Sequence, residues 1–500
     1  MTDSQYVLAL DQGTTSSRAM LLALDGSVMA SAATELPQIY PSPGHVEYTH
    51  ESIWQSQMEA AREAIARAGT QPSLIAAVGV TNQRETTLVW ERRTGKPVGN
   101  AIGWQSRITA ADCEALKRRG LEEVVRQKTG LPIDPYFSAT KIRHILASEE
   151  GLHRRAERGE LCFGTVDTFL AWKLTGGRLH ITDPSNASRT MLFNLHTLEW
   201  DVELLAELEV PAAMLPDVRS TSEVYGSTDR DWLGGELLLA GLVGDQQAAM
   251  FGQACFSPAM AKQTYGTGCF LLMNTGDKPI DSERGLLTTV GWVVGGRPTY
   301  CLEGSIFVGG AAVQWLRDGL RAIASSADVE ALENRVPDSG GIYFVPAFVG
   351  LGAPHWDPYA RGLIIGLTRG TTIEHIARAA VDAMAYQTRD LVNAMCLDIG
   401  HPLDVLKVDG GAAVNDRLLQ FQADLLGVPV ERPRIVETTA LGAAYLAGLA
   451  AGFWADQAEL AAHWRLDRRF EPQLDESEVE PLLTGWDRAV ARSLRWGPDS

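Results

Sequence analysis

The chain has 500 residues, 45% of them apolar and 21% charged, with a formal net charge of −18. A chain of that size buries a large core and divides into about two to four domains. Its acidic balance excludes a nucleic-acid backbone as the main partner, because phosphates need a basic surface, and the lack of like-charge blocks or low-complexity tracts excludes a disordered tail.

The N-terminal stretch MTDSQYVLAL has no basic n-region and is not expected to act as a secretory signal. Residues 6–30, YVLALDQGTTSSRAMLLALDGSVMA, predict a strand near 5–10, a tight turn over 11–16 and a strand over 17–24; a further strand over 27–35 follows a two-residue type I′ turn at Asp25-Gly26. The first turn is not a Walker loop, since no G-x-x-x-x-G-K-[ST] is present and a strand follows it. Its chemistry still suits a phosphate: Gly13 admits the backbone, Thr14, Thr15 and Ser16 supply hydroxyls, and successive N–H groups can form an anion-binding concavity. Asp11 would repel that phosphate unless a divalent cation lay between them, which points to Mg²⁺. A hairpin whose Thr and Ser only cap the turn accounts for the same residues.

Residues 74–98, LIAAVGVTNQRETTLVWERRTGKPV, read as a strand, a polar elbow, a strand and a turn. Arg84 and Glu85 in the elbow fit either an edge hairpin with a solvated charge pair or a polyol site, where Arg donates to hydroxyls and Glu accepts from them. Trp104 and Tyr136 follow in AIGWQSR and LPIDPYFSATK, aromatic groups able to cover the C–H faces of a small polyol or to serve as core. In LLLAGLVGDQQAAMFGQ (237–253) an apolar strand ends at Gly244 and Asp245-Gln246 open a helix. A carboxylate at a strand tip beside a helix N-terminus is placed for acid–base catalysis or for an N-cap.

Further on, AKQTYGTGCFLLMNTG (261–276) echoes the first hairpin, with Gly266, Thr267 and Gly268 between extended runs. The pentapeptide GGAAV occurs twice, at 309–313 and 410–414, each time after a strand and before an amphipathic helix. Strand, glycine pair and helix start make an anion or nucleotide site, because free N–H groups and the helix dipole face the ligand. The echo predicts two related lobes with the boundary near 250–260. The uncharged stretch 440–455 is too short for a comfortable membrane span and predicts a tightly packed buried helix. Six cysteines lie singly with no metal spacing, as buried thiols of a reducing cytoplasm would.

DQGTTSSR, NQRETT, DPYFSATK, GTVDTFLAWKLTGG, TDPSNASRTMLFNLHTLEWD, GDQQAA, TYGTGCF, VPAFVGLGAPHWDPYARGLIIGLTRG, VDGGAAVND and TALGAAYLAGLAAGFW together resemble the glycerol kinases of the FGGY carbohydrate kinase family, in order from about residue 5 to 470. The resemblance implies an α/β fold of two ribonuclease-H-like lobes, as in actin, Hsp70 and hexokinase, around a central nucleotide cleft. It implies an N-terminal lobe over 1–253 and a C-terminal lobe over 254–500. It also implies ATP with Mg²⁺ as donor, glycerol as acceptor, no nucleic-acid partner, no membrane insertion, and a cytoplasmic homodimer or homotetramer. By the same resemblance Asp245 is the general base. Arg84, Glu85, Tyr136, Asp245 and Gln246 hold glycerol against Trp104 and Phe270. Thr14, Thr15, Ser16, Arg18, Thr267, Gly310, Gln314, Gly411 and Asn415 hold the nucleotide, and Asp11 meets Mg²⁺ through water.

Three positions depart from the family. STDRDWLGGELLLAG (227–241) lacks the basic character of a fructose 1,6-bisphosphate loop, Ser222-Glu223 replace the segment that carries a phosphorylated His in some relatives, and His144 stands where many members have Trp. Two further readings use the same motifs: an FGGY kinase for another polyol or sugar, and a non-catalytic actin-like ATP switch. A sugar-kinase-like repressor would need a basic helix-turn-helix before residue 5.

Overall fold

The computed structural model describes residues 5–497. Continuous apolar runs, Val7–Leu10 and Ala19–Leu22, set the opening meander: β1 (Tyr6–Gln12), β2 (Ser16–Ala23) and β3 (Val28–Glu35) run antiparallel. Helix α1 (His50–Ala68) packs across β2 and β3, capped by the Thr49 side chain, and β4 (Ile75–Asn82) returns parallel to β1. The chain then leaves the sheet for an excursion that includes α2 (Ser138–Ala147) and the single turn α3 (Pro184–Ala187). It re-enters through β5 (Ser222–Ser227) and β6 (Leu238–Gly244), the latter parallel to β4 and continued by α4 (Asp245–Gly252).

The second half repeats the plan. A hairpin of β7 (Ala261–Tyr265) and β8 (Cys269–Gly276) is extended by β9 (Leu287–Val294) and β10 (Arg297–Ile306), followed by α5 (Gly310–Asp318) and the long α6 (Ile373–Ile399). Next come β11 (Leu406–Asp409), α7 (Asp416–Leu426), β12 (Val430–Pro433), α8 (Thr438–Ala450) and β13 (Leu466–Phe470). These thirteen strands form one sheet in the order β13-β12-β11-β7-β8-β10-β9-β5-β6-β4-β1-β2-β3. Within it β12-β11-β7-β8-β10 and β6-β4-β1-β2-β3 are the same arrangement, a hairpin strand flanked by parallel strands on one side and antiparallel strands on the other. The echo at 261–276 is therefore a true topological repeat. The two units meet in the sheet at one parallel pair, Ser222 with Val294.

Helix α8 takes up the 440–455 stretch only as far as Ala450, residues 451–455 forming a turn after it, and packs on α4, β4 and β6 of the first unit. Missing side chains permit this: a Cβ on Gly442 would stand 1.9 Å from the Ala248 carbonyl oxygen, and one on Gly79 2.1 Å from that of Ala443. Among the described residues no helix is long and apolar enough to cross a membrane, and the six cysteines are unpaired.

Two local details differ from the sequence reading. The Asp25-Gly26 turn is not type I′, because only Gly26 has positive φ (77°). Gly26 N–H bonds Ala23 O and Ala23 N–H bonds Ser27 O, a three-residue loop closed by a G1 bulge. The Asp25 carboxylate accepts from the Ser27 N–H and hydroxyl at 3.0 and 2.6 Å, which fixes Asp25 in an ordinary conformation. The two GGAAV copies also fold differently. The first opens α5 directly, whereas the second makes a 3₁₀ turn over Gly411–Val414 and the helix restarts at Asp416. Asn415 causes the restart, its side chain accepting the Leu418 N–H at 3.0 Å as an N-cap.

Candidate active site

Strands β1, β4 and β6 are parallel and end level, Gln12 beside Asn82 and Asn82 beside Gly244. Asp11, the Arg84-Glu85 elbow and Asp245 therefore emerge along one edge of the sheet, at the carboxyl ends of its strands, where α/β folds place ligands. The elbow is no solvated edge: β4 lies between β1 and β6, and Arg84 and Glu85 are 3% and 1% exposed. Glu85 holds a left-handed φ of 60°, a conformation that costs about 1–3 kcal/mol and persists only when its surroundings enforce it. The enforcement is visible, since its carbonyl oxygen accepts from Thr87 Oγ1, Ser138 Oγ and Lys141 Nζ at 3.0, 3.1 and 3.3 Å.

Arg84 is fixed by its own donors. Nη1 and Nη2 fork onto Glu303 at 2.6 and 2.8 Å, Nη1 also reaches Gln247 Oε1 at 3.2 Å, and Nε lies 3.2 Å from Asp245 Oδ1. Asp245 is the first residue of α4 rather than its N-cap, which is Gly244, so the capping reading fails. Its side chain is 25% exposed. Burial raises its pKa, opposed chiefly by the Arg84 and Lys262 charges, which makes it a more basic carboxylate than an ordinary aspartate. Gln246 Oε1 accepts from Lys262 Nζ at 2.6 Å, and burial pulls the pKa of that lysine down. Trp104 is flanked by Tyr136 and Phe270 at ring separations of 5.5 and 6.2 Å, so the three expected wall residues are brought together from both units.

Trp104 Nε1 donates to Thr14 Oγ1 at 3.1 Å, which joins that wall to the hydroxyl turn. The turn closes through Gly13 N–H to Ser16 O at 2.9 Å, and Gln83 Nε2 holds the Gly13 carbonyl at 2.9 Å. Thr15 is exposed and Ser16 half-buried beside it. Among the described residues nothing donates a hydrogen bond to the Asp11 carboxylate. Burial pushes its pKa up to about 7, with Arg18 opposing and the charge of Asp245 adding to it. The two carboxylates thus lie close enough at this edge of the sheet to feel each other's charge, and an unpartnered carboxylate there fits a divalent cation held partly through water. Arg18 is engaged by Glu437, at the start of α8.

In the second unit the turn between β7 and β8 carries the start of α5, with Gly310 N–H bonding Gly266 O at 2.9 Å and Ala311 N–H bonding Thr267 O at 3.0 Å. Since β7 pairs with β11, Gly410 and Gly411 follow alongside Tyr265. A Cβ on Gly411 would meet nothing within 4 Å, so its backbone faces open space. Thr267 and Gly310 are in contact, and Gly411 follows Gly410 at the end of the neighbouring strand. Gln314 lies exposed one turn along α5. The Asn415 side chain is taken up by structure, its Nδ2 donating to Glu333 Oε1 at 2.6 Å in addition to the cap.

Three residues of the cluster escaped the sequence reading: Arg189, Glu303 and Lys262, all 0% exposed. A lone charged residue inside an apolar strand, as in YCLEGSI or MAKQTY, is the signal that could have found the last two.

Residues 6–252 match the N-terminal domain, and residues 261–451 the C-terminal domain, of the FGGY family of carbohydrate kinases. Glycerol kinase 2 of Thermotoga maritima is 61% identical over 492 residues, 98% of this chain and 99% of that protein. The glycerol kinase of Carboxydothermus hydrogenoformans is 60% identical over 493 residues, again 98% and 99%. The crystal structure of Plasmodium falciparum glycerol kinase with ADP superposes with a TM-score of 0.90 at 32% identity, covering 98% of this chain and 99% of that one. Gluconate kinase from Lactobacillus acidophilus has a TM-score of 0.86 at 23% identity over 98% and 99%, a likeness of fold alone.

Proposed function

The chain belongs to the FGGY family of carbohydrate kinases, and on that premise we propose that it transfers the γ-phosphoryl group of ATP to a terminal hydroxyl of glycerol, giving sn-glycerol 3-phosphate and ADP and committing glycerol to catabolism. What supports this reading is the emergence of Asp245, the Arg84-Glu85 pair and the hydroxyl turn after Leu10 at one edge of the sheet, which we take as the wall of a ligand gap between the two units. Asp245 accepts the hydroxyl proton as attack proceeds. Arg84 donates to the substrate hydroxyls and Glu85 accepts from them, while Trp104, Tyr136 and Phe270 cover the carbon face. The backbone and hydroxyls of Thr14, Thr15 and Ser16, with Arg18, receive the phosphates. Thr267, Gly310, Gln314, Gly411 and Asn415 form the nucleotide side.

Phosphoryl transfer of this kind needs positioning and charge neutralisation more than covalent help. Asp11 would hold Mg²⁺ through water, and that ion, when bound, neutralises charge developing on the transferred phosphoryl group. The proposal places the lobe boundary at residues 253/254. It also places the enzyme, as a homodimer or homotetramer, in the cytoplasm, in keeping with six unpaired cysteines. The test is ADP formation by the purified chain from ATP and Mg²⁺ with glycerol, against a panel of pentuloses, gluconate and other polyols. Turnover that glycerol does not accelerate would reject the reading.

A further inference from the structure

We propose that Arg189 is the positioning residue of the acceptor site, setting the Glu85 carboxylate where a substrate hydroxyl meets it; this rests on the phosphoryl-transfer reading above. Arg189 lies just past α3 and is completely buried. Its Nε donates to Glu85 Oε1, and its Nη2 lies 3.4 Å from Glu303 Oε1. The guanidinium carbon sits 5.2 Å from the ring centres of both Tyr136 and Phe137. Nη1 and Nη2 are buried without a hydrogen-bond partner. A buried cation so incompletely satisfied is a poor device for stability, so its work is sought in what it touches.

Five ionisable groups surround the Glu85 carboxylate: Arg84 from the same elbow, Tyr136 before α2, Lys141 on α2, Arg189 after α3 and Glu303 on β10. Arg84 is turned to Glu303, leaving its Nε 3.9 Å from Glu85 Oε1, beyond hydrogen-bond reach. Lys141 Nζ is directed to the carbonyl oxygens of Glu85 and Tyr136 at 3.3 and 2.7 Å. Among the described residues Arg189 is therefore the one charged donor bonded to that carboxylate. It takes Oε1 and leaves Oε2 for the substrate. Burial pushes Glu85 toward its neutral form, and Arg189 is the strongest of the charges opposing that.

The segment that carries Arg189 is itself braced to the catalytic strands. Asp183 caps α3 through the Ser185 and Asn186 N–H groups, both at 3.0 Å. Ser185 Oγ accepts the Gly244 N–H at 2.8 Å, one residue before Asp245. Asn186 and Asn82 exchange side-chain bonds at 3.0 and 3.2 Å, two residues before Arg84. One short turn thus ties the base, the arginine and the acceptor carboxylate into a single geometry.

The experiment compares full-length Arg189→Met and Arg189→Lys with the unmodified chain. Arg189→Met should raise the KM for glycerol about 10–100-fold, the size expected for a charge-assisted hydrogen bond, and leave the KM for ATP nearly unchanged. It should also move the acidic midpoint of kcat/KM for glycerol upward, because without the cation Glu85 stays protonated to higher pH. Arg189→Lys, which keeps the charge but not the planar fork, should restore most of that midpoint and less of the KM. Equal rises in both KM values with an unmoved midpoint would overturn the proposal. Should Arg189→Met not fold, a cycle of Arg189→Lys with Glu85→Gln decides: a double variant no worse than Glu85→Gln supports positioning, and additive losses overturn it. Absence of glycerol-dependent ADP formation in the unmodified chain would instead defeat the kinase reading, independently of Arg189.

Discussion

Asp245 has to be charged enough to accept a proton and basic enough to want it. Its burial raises its pKa, and its contact with Arg84 Nε at 3.2 Å opposes that rise. Asp245→Asn keeps the shape and the Arg84 contact but removes the acceptor, and steady-state kinetics should show kcat falling about 10²–10⁴-fold with the KM for ATP nearly unchanged. Wild-type turnover would refute the role. Asp11 behaves differently because no protein donor compensates it. Its pKa rises from 3.8 to about 7, so between those values the folded chain holds a proton that the unfolded chain does not, and stability falls as pH rises through that window. Above it the penalty is fully present. Asp11→Asn should therefore raise Tm at pH 8, leave it unchanged near pH 3, and abolish the Mg²⁺ dependence of turnover. In the unmodified chain the cation competes with that proton, so more Mg²⁺ should be needed for half-maximal rate at pH 6 than at pH 8. Equal requirements at both would place the ion elsewhere.

The two GGAAV segments show that one pentapeptide is not one element. Each glycine's role depends on what stands opposite it. A Cβ at Gly310 would lie 2.8 Å from the Gly266 carbonyl oxygen, inside the contact that holds α5 on the β7–β8 turn, whereas one at Gly411 would meet no protein atom within 4 Å. Gly310→Ala should accordingly cost about 1–3 kcal/mol of stability, as overpacking does, visible as a lower Tm. Gly411→Ala should leave Tm unaltered and raise the KM for ATP, since only a bound nucleotide would meet the new methyl. Loss of Tm in both, with unchanged KM in the second, would mean that Gly411 does not face the nucleotide. The same comparison marks what was readable beforehand. Hairpins and strand ends were legible because apolar runs and Gly or Asp punctuation are local. The restart of the helix at Asn415 was not, since it depends on one side-chain cap within an otherwise repeated string.

At the scale of the whole molecule the repeated five-strand unit was legible from one weak echo, that of 261–276 to the first hairpin, while the charged cluster between the units was only half legible. Arg84, Glu85 and Asp245 stand at strand tips and announce themselves, but Glu303 and Arg189 are partners from 219 and 104 positions away along the chain, a relation that only folding creates. Those same long-range bonds carry the last prediction. Arg84–Glu303 and Gln246–Lys262 cross between the two halves, as do the Trp104 and Phe270 rings, yet the sheet joins the halves at a single backbone pair. Ligands bound in the gap would add contacts to both halves at once, drawing them together and excluding the water that would otherwise compete as acceptor. Small-angle scattering of the homo-oligomer should start from a radius of gyration above the roughly 23 Å of a single chain of this length and shrink when glycerol and a non-hydrolysable ATP analogue are added together. ADP formation without glycerol should stay far below the rate with it. An unchanged radius alongside equal ADP formation with and without acceptor would mean that the gap does not close on its substrates, and that exclusion of water is not how the enzyme directs the phosphoryl group.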